Sequence, residues 1–361
     1  MSELRYWIGF NRVPNIGPMR LRRLLDHFGS IEAAWHAGPA ALRATQLPRQ
    51  AIESLLYHRP RIDLDTELER LDHSGVKALT WDSDDYPSLL REIDAPPPVL
   101  YVRGSIVEAD EFAIAAVGTR RASTYGREMT CQLVTGLVKN GLTIVSGLAY
   151  GIDATAHRAA LDAGGRTIAV LACGLDQIYP ARHRGLAQAI VRNGALVSDY
   201  PLGTKPEAHN FPPRNRIISG LSLGTLVVEA GERSGALITL HYALEQGRET
   251  FAVPGRVHSV PSEGTNLALK RGEAKLVTCA KDILEELHLT MVPEQRETRR
   301  AVPATPAEKD LLAHLSQEPV HVDELVRRTG LPTATVSSSL AMMELRGIVR
   351  RVDNTCYVLA R

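Results

Sequence analysis

Between Phe112 and Leu287 the chain repeats one alternation: a short apolar run, a turn that usually bears glycine, then a helical pattern. The runs are FAIAAV from Phe112, LTIVS from Leu142, TIAVLA from Thr167, ALVSD from Ala195, TLVVEA from Thr225, TFAV from Thr250 and KLVT from Lys275. Runs this short and continuous read as strands buried on both faces, and their alternation with helices makes them parallel. The pattern therefore predicts an α/β fold around a parallel sheet. In open sheets of that kind ligands sit outside the carboxyl ends of the strands, so function is sought in the turns that follow the runs.

A chain of 361 residues exceeds what one core usually holds, and further domains are expected on either side. In residues 1–62, Val13, Ile16, Leu21, Leu24, Leu25 and Phe28 fall at helical spacing. This predicts a small helical domain, SAM-like or helix-hairpin-helix-like, with Arg20, Arg22 and Arg23 behind the Asn15–Pro18 turn. Pro18 stands where that module would offer a free amide, and a helical packing domain with a solvated arginine face accounts for the segment equally well. The central domain is expected over residues 63–289, with strand pieces at Val76–Thr80 and Val99–Val102 extending the sheet past the prolines Pro96 to Pro98. Residues 290–305 are charged, proline-bearing and poor in apolar side chains, as a linker is. Over residues 306–361 a helix at Pro306–Leu315, a second at Val322–Thr329, a third from the Gly330-Leu331-Pro332 turn to Arg346 and a hairpin through Asp353-Asn354 predict a winged helix.

Composition narrows the functional classes mainly by exclusion. Lys and Arg total 42 against 41 Asp and Glu, so any basic surface has to be local. The four cysteines are far apart and form no CxxC pair, which argues against a zinc site or a disulfide framework and suits a reducing compartment. No apolar run is long enough to span a bilayer, and a cytoplasmic, membrane-free protein is expected. Neither GxxxxGK[ST] nor GxGxxG occurs, and no histidine pair has metal-ligand spacing, so neither cofactor nor metal is predicted. Gly220-Leu221-Ser222-Leu223-Gly224 matches GxSxG, but it leaves a helix and enters a strand, the reverse of a nucleophile elbow.

The turns themselves carry the positive reading. After the first run comes Gly118-Thr119-Arg120-Arg121-Ala122-Ser123, a helix start with amides, hydroxyls and an arginine suited to phosphate. After the second comes Ser146-Gly147-Leu148-Ala149-Tyr150-Gly151, whose glycines allow close backbone approach, with Asp153 as a helix-capping residue and His157 as a core residue. The third turn, Cys173 to Pro180, is followed by Arg182, His183 and Arg184. HNFPPRNRIISG then places Phe211 beside two prolines with Lys205, Arg214, Asn215 and Arg216 around it, an aromatic face among cations of the kind that stacks bases of a single strand. A glycine loop with Ser234 and Gly235 follows TLVVEA.

Together GTRRAS, SGLAYGIDATAH, CGLDQIYPARH, FPPRNRIISGLS and VVEAGERSGALIT resemble the DNA processing protein A family, also called DprA or Smf. The resemblance implies an extended Rossmann-like core and a non-enzymatic protein of natural transformation and DNA recombination. Such a protein binds and protects incoming single-stranded DNA, loads the RecA recombinase onto it, and acts as a homodimer. It also implies DNA contacts at Arg120, Phe211, Arg214 and Asn215. With the residues read from the turns, the candidate set is Gly118, Thr119, Arg120, Ser146, Gly147, Gly151, Arg182, Lys205, Phe211, Arg214, Asn215, Arg216, Ser234 and Gly235. The alternative is a Rossmann-like nucleotide phosphoribohydrolase, whose PGGxGTxxE loop the glycine loop resembles; here Thr239 stands where that motif has its glutamate. The helix TATVSSSLAMMELRG has no basic residue before Arg346, which makes the winged helix a poor reader of duplex DNA.

Overall fold

A computed structural model describes residues 3–289 and, beyond them, residues 307, 310, 311, 314, 315, 320–345, 349–353 and 356–359. The chain divides into two compact units, Met1–Leu289 and Thr290–Arg361.

The first unit is built on a nine-stranded sheet of order β1-β2-β6-β5-β4-β3-β7-β8-β9. Its strands are β1 (Lys77–Thr80), β2 (Val99–Gly104), β3 (Ala113–Val117), β4 (Thr143–Ser146), β5 (Thr167–Val170), β6 (Gly194–Ser198), β7 (Gly224–Val227), β8 (Glu249–Ala252) and β9 (Lys275–Leu276). All seven runs form strands, and β3 to β9 are mutually parallel. The two upstream pieces add β1 and β2 antiparallel beyond β6, so the edge of the parallel sheet is covered by a short hairpin-like extension. Helices cover both faces, and the side chains of β3, β4 and β5 are buried along their whole lengths. That explains why these strands read as unbroken apolar runs.

From β3 the chain moves outward through β4, β5 and β6, then crosses back to lay β7 on the other side of β3. The crossing segment, residues 199–223, contains the helix Phe211–Gly220. This is the extended Rossmann-like arrangement, and the order reverses between β3 and β7. A crevice opens at such a reversal because the loops on either side lead away in opposite directions.

Helices fill residues 4–73. Their buried side chains share a core with the sheet: Phe10, Trp35, Leu24 and Leu55 pack in one cluster with Tyr101, Leu171 and Leu196. Phe10 and Trp35 meet edge to face at 5.1 Å, Trp7 and Trp81 at 5.4 Å, and the Tyr101 hydroxyl donates to Asn11 Oδ1 at 3.0 Å. Burying each such ring contributes about 1.5–3 kcal/mol, so this packing is a large part of the unit's stability. The Asn15–Pro18 turn forms with Asn15 at φ 66°, and the helix Pro18–Phe28 starts at the proline.

The second unit is a winged helix. Its described helices are Val322–Thr329 and Thr333–Leu345, and a three-stranded sheet pairs β10 (Val320–His321) and β11 (Val349–Asp353) with β12 (Cys356–Leu359). Gly330, at φ 67°, closes the first helix with its N–H on the Val326 carbonyl, the left-handed turn that glycine tolerates without strain. Leu311, Leu325, Val336, Leu340, Met343 and Tyr357 form its core. The expected linker, half of the residues of the helix at Pro306–Leu315 and Asn354 of the hairpin lie outside the described residues.

Candidate functional site

The crevice at the β3/β7 reversal is a groove of about 640 Å³, lined among others by Gly118, Arg120, Asp153, Tyr179, Phe211, Arg214, Asn215, Ser234, Gly235 and Thr239. Residues from the segments that follow five strands, β3 to β7, therefore meet there.

The turn after β3 is held tight from behind. A side chain at Gly118 would collide with Ile152 at 2.5 Å and with the Glu229 carbonyl at 2.8 Å. The Thr119 N–H donates to that carbonyl at 2.6 Å, and the Thr119 carbonyl accepts from the Ile152 N–H. What this leaves outward is Arg120, which is exposed and has its guanidinium 5.4 Å from the centre of the Phe211 ring.

Phe211 opens the helix Phe211–Gly220, and Pro212 and Pro213 sit in its first turn, where a missing N–H costs nothing and the fixed φ suits the helix. One turn on, at i+3, the Arg214 guanidinium lies 5.7 Å from the same ring. Tyr179 meets the ring edge-on at 5.7 Å and 66°. The half-buried phenylalanine is thus framed by two cations and a second aromatic.

The two arginines differ in their surroundings. Arg214 is 4% exposed and donates to the carbonyls of Gly147, at 3.0 Å, and Val170, tying the ends of β4 and β5 together. Burial pushes its pKa down, opposed mainly by the Asp153 charge, and burial likewise pushes Asp153 up against Arg214 and two backbone amides. Arg216, two residues further, lies on the other side of the helix, paired with Asp199 at 2.8 Å and bonded to the Ala95 carbonyl. It does not line the groove.

The strand-end amides expected to receive phosphate are already taken by the protein's own carboxylates. Glu229, 2% exposed, accepts the Ser123 N–H at 2.8 Å, filling the anion position at the start of the helix Thr124–Lys139. Asp153 accepts the amides of Gly147 at 3.1 Å and Ala149 at 3.3 Å in the next loop. A phosphate seated at either turn would meet a carboxylate at contact distance, so the expectation of a helix-start phosphate site after β3 is corrected on this point. The helix Ala236–Glu245 also opens on the groove, and its first turn carries no acid.

The remaining candidates fall at different depths. Ser146 is fully buried, its hydroxyl donating to the Ala116 carbonyl at 2.6 Å, so it braces the sheet and offers nothing to the groove. Gly147 is buried behind Arg214, and Gly151, at φ 76°, packs on the backbone of Thr119 and Arg120. Arg182 and Lys205 are exposed and lie outside the groove lining, although Pro206 beside Lys205 belongs to it. Asn215 reaches the Gly235 carbonyl at 3.3 Å and joins the two loops.

Over residues 77–288 the chain matches the model of the family described as DNA recombination-mediator protein A, and over 295–354 that of the DprA winged helix domain. The chain belongs to the DprA/Smf family. It is 36% identical to the Smf protein of Synechocystis over 99% of this chain and 98% of that one. The solved structure of Streptococcus pneumoniae DNA processing protein A superimposes with a TM-score of 0.69 at 33% identity, covering 78% of this chain and 97% of the other. That of Helicobacter pylori DNA processing protein A, a structure of single-stranded DNA binding, does so at 0.54 and 30%, covering 59% and 95%.

In this DprA-family chain several groove-forming groups escape sequence reasoning. Glu229 sits in a strand run that reads as plain core, and its bond to Ser123 spans 106 positions. Tyr179 reads as part of a turn before Pro180, and nothing local shows that it meets Phe211. Ser222, by contrast, is where its motif order implied: fully buried at the amino end of β7, donating to the Ile218 carbonyl at 3.0 Å, away from the strand carboxyl ends. Thr239 lines the groove, 1% exposed, where the hydrolase motif would place a carboxylate. Among the described residues no group of three His, Cys, Asp or Glu side chains is arranged to hold a metal ion, and no helix is long and apolar enough to cross a membrane.

Proposed function

We propose that this chain binds single-stranded DNA in the β3/β7 groove, with a base against Phe211 and the phosphate backbone against Arg120, and delivers the strand to RecA during DNA recombination and natural transformation. It acts as a cytoplasmic homodimer and catalyses no reaction on the strand. The observation that carries the reading is the Phe211 ring with the Arg120 and Arg214 guanidiniums 5.4 and 5.7 Å from its centre: an aromatic ring with adjacent positive charge engages any base and its phosphate without reading sequence. Family membership and the strand-binding relative from Helicobacter pylori support it.

The absence of a catalytic role is supported by the state of Asp153, the acid that lines the groove. Both its amide bonds and the neighbouring Arg214 hold it in a structural role, and burial disfavours its charge. Candidate contacts are Gly118, Thr119, Arg120, Phe211, Asn215, Ser234 and Gly235, with Arg182 and Lys205 meeting the strand outside the groove. Gly147, Gly151, Arg214 and Arg216 shape the surface that receives it.

The deciding experiment is a titration of the full-length protein with single-stranded and duplex DNA of equal length at two salt concentrations, followed by addition of RecA. Preference for the single strand and faster RecA filament growth on the protein-bound strand are expected. Equal affinity for both forms of DNA would overturn the binding assignment, and unchanged filament growth would overturn the loading assignment alone.

A further inference from the structure

Beyond Phe211 the strand-end face exposes further aromatic rings. Tyr125, Tyr150 and Tyr179 are 43%, 43% and 46% exposed, and they lie respectively after β3, β4 and β5, three adjacent strands of the sheet. The Tyr125 hydroxyl is engaged, donating to the Pro254 carbonyl at 2.8 Å. The hydroxyls of Tyr150 and Tyr179 have no hydrogen-bond partner among the described residues. Tyr101, whose ring packs in the core, is by contrast 1% exposed.

The two free rings are held firmly on one side each. Tyr179 stands edge-on to Phe211 with centroids 5.7 Å apart. Tyr150 stands edge-on to His183 at 5.0 Å and 68°. His183 is 4% exposed and fixed by its Nδ1 to the Leu148 carbonyl at 2.8 Å, so the Tyr179–His183 segment and the loop bearing Tyr150 are locked to each other. The loops follow neighbouring parallel strands, which sets them about 4.8 Å apart at their roots. Tyr179, in contact with Phe211, and Tyr150, in contact with His183, thus lie at the carboxyl ends of the neighbouring strands β5 and β4, on the side of the groove away from β7.

We propose that Tyr179 and Tyr150 continue the Phe211 platform as a track on which successive bases of one DNA strand stack. The strand leaves the β3/β7 groove over the carboxyl ends of β4 and β5. The ring faces, and not the hydroxyls, do the binding, because stacking tolerates any base while a hydroxyl would select among base edges. The proposal rests on the single-strand reading of the groove and adds its direction and extent.

The test compares full-length wild type with Tyr179→Ala, Tyr150→Ala and the corresponding phenylalanine variants. Each is titrated with a single-stranded oligonucleotide and with a strand of the same length and charge built entirely of abasic sites. Each alanine variant should bind the base-bearing strand about 5- to 150-fold more weakly. On the abasic strand it should match wild type, and both phenylalanine variants should match wild type on both strands. A general structural defect would lower binding to the two strands alike, and that result overturns the track. A loss at Tyr179 without one at Tyr150 also overturns it, as does a loss in the phenylalanine variants. If wild type itself fails to bind the base-bearing strand, the groove assignment falls and the track with it; if wild type binds and the tyrosines do not discriminate, the track alone falls.

Discussion

Asp153 and Arg214 grip opposite ends of one residue, Gly147: the carboxylate accepts its N–H at 3.1 Å and the guanidinium donates to its carbonyl at 3.0 Å. Both charges are buried, and a side chain on Gly147 would lie 2.7 Å from Arg214 Nη2 and 2.9 Å from Asp153 Oδ2. The loop after β4 is therefore shaped by a charge pair that neither partner can leave singly.

Removing one member of this pair leaves the other buried and uncompensated. Arg214→Ala and Asp153→Ala are each expected to cost about 3–5 kcal/mol of stability. Arg120→Ala, at an exposed position, should stay within about 0.5 kcal/mol of the parent. Urea unfolding midpoints measure all three. A stable Arg214→Ala protein with selectively reduced DNA binding would show that Arg214 is chiefly a DNA ligand.

Arg120 and Phe211 should separate by salt. Both alanine variants are expected to weaken single-strand binding across sequences, Phe211→Ala by about 1–3 kcal/mol. Only Arg120→Ala should flatten the dependence of log K on log salt, by about 0.7 for each phosphate of a single strand that is no longer neutralised. Titrations at four salt concentrations give both slopes. Parallel slopes for the two variants would place the phosphate-binding cation elsewhere.

His157 should make the fold acid-sensitive. The Thr167 hydroxyl donates to the Ile144 carbonyl, so His157 Nδ1 is the donor in its 2.7 Å bond to Thr167 Oγ1, and Nε2 is left buried without a partner. Burial first, then the charges of His183, Arg214 and Arg158, hold its pKa down to about 3. The unfolded chain protonates near about 6.5, so the contribution is intact above that pH and is lost as pH falls toward the folded value. Between pH 7 and 5 the group should account for about 2 kcal/mol of lost stability. A His157→Gln variant should show a correspondingly smaller drop, whatever its stability at pH 7. Identical pH profiles would refute the assignment.

Glu229 can be tested as the protein's own substitute for an anion. In Glu229→Ala the Ser123 amide loses its acceptor and the start of the helix Thr124–Lys139 becomes an open seat for inorganic phosphate. Phosphate at millimolar concentration should raise the melting temperature of the variant above that in an equal ionic strength of chloride. The parent should show no such difference. An equal response in both proteins would mean that the seat is not controlled by Glu229.

The C-terminal unit should contribute little to strand affinity. The helix Thr333–Leu345 carries no basic residue in its last turn, and its sequence TATVSSSLAMMEL has none at all. A chain ending at Leu289 retains the whole groove and is expected to keep most single-strand binding, by the same titration. A collapse in affinity would assign the winged helix a direct role in holding DNA.

Much of the fold was legible because parallel strands buried on both faces carry unbroken apolar runs, as Ala113–Val117 and Thr143–Ser146 do. The site was legible in part for a similar reason. Phe211, Arg214 and Asn215 stand at i, i+3 and i+4 and must share a helix face, whereas Arg214 and Arg216 are about 200° apart and cannot both face the groove. That spacing separates the groove arginine from the Asp199-paired one. Burial was harder to foresee: an arginine at 4% exposure has the same letter as one in solvent, and only the carbonyls at the ends of β4 and β5 make Arg214 structural. Glu229 was not legible, since nothing near it in sequence says that its carboxylate turns back on Ser123.

The carboxylates of Asp153 and Glu229 also decide how the groove measures what enters it. With the amides after β3 and β4 filled from within, a phosphate group finds no seat at those two turns, and a mononucleotide at Phe211 meets one ring and the cation beside it. Affinity then accumulates with each further nucleotide laid along the surface. On the proposed function, length is what such a groove registers: a long strand would be held while free nucleotides around it pass unbound.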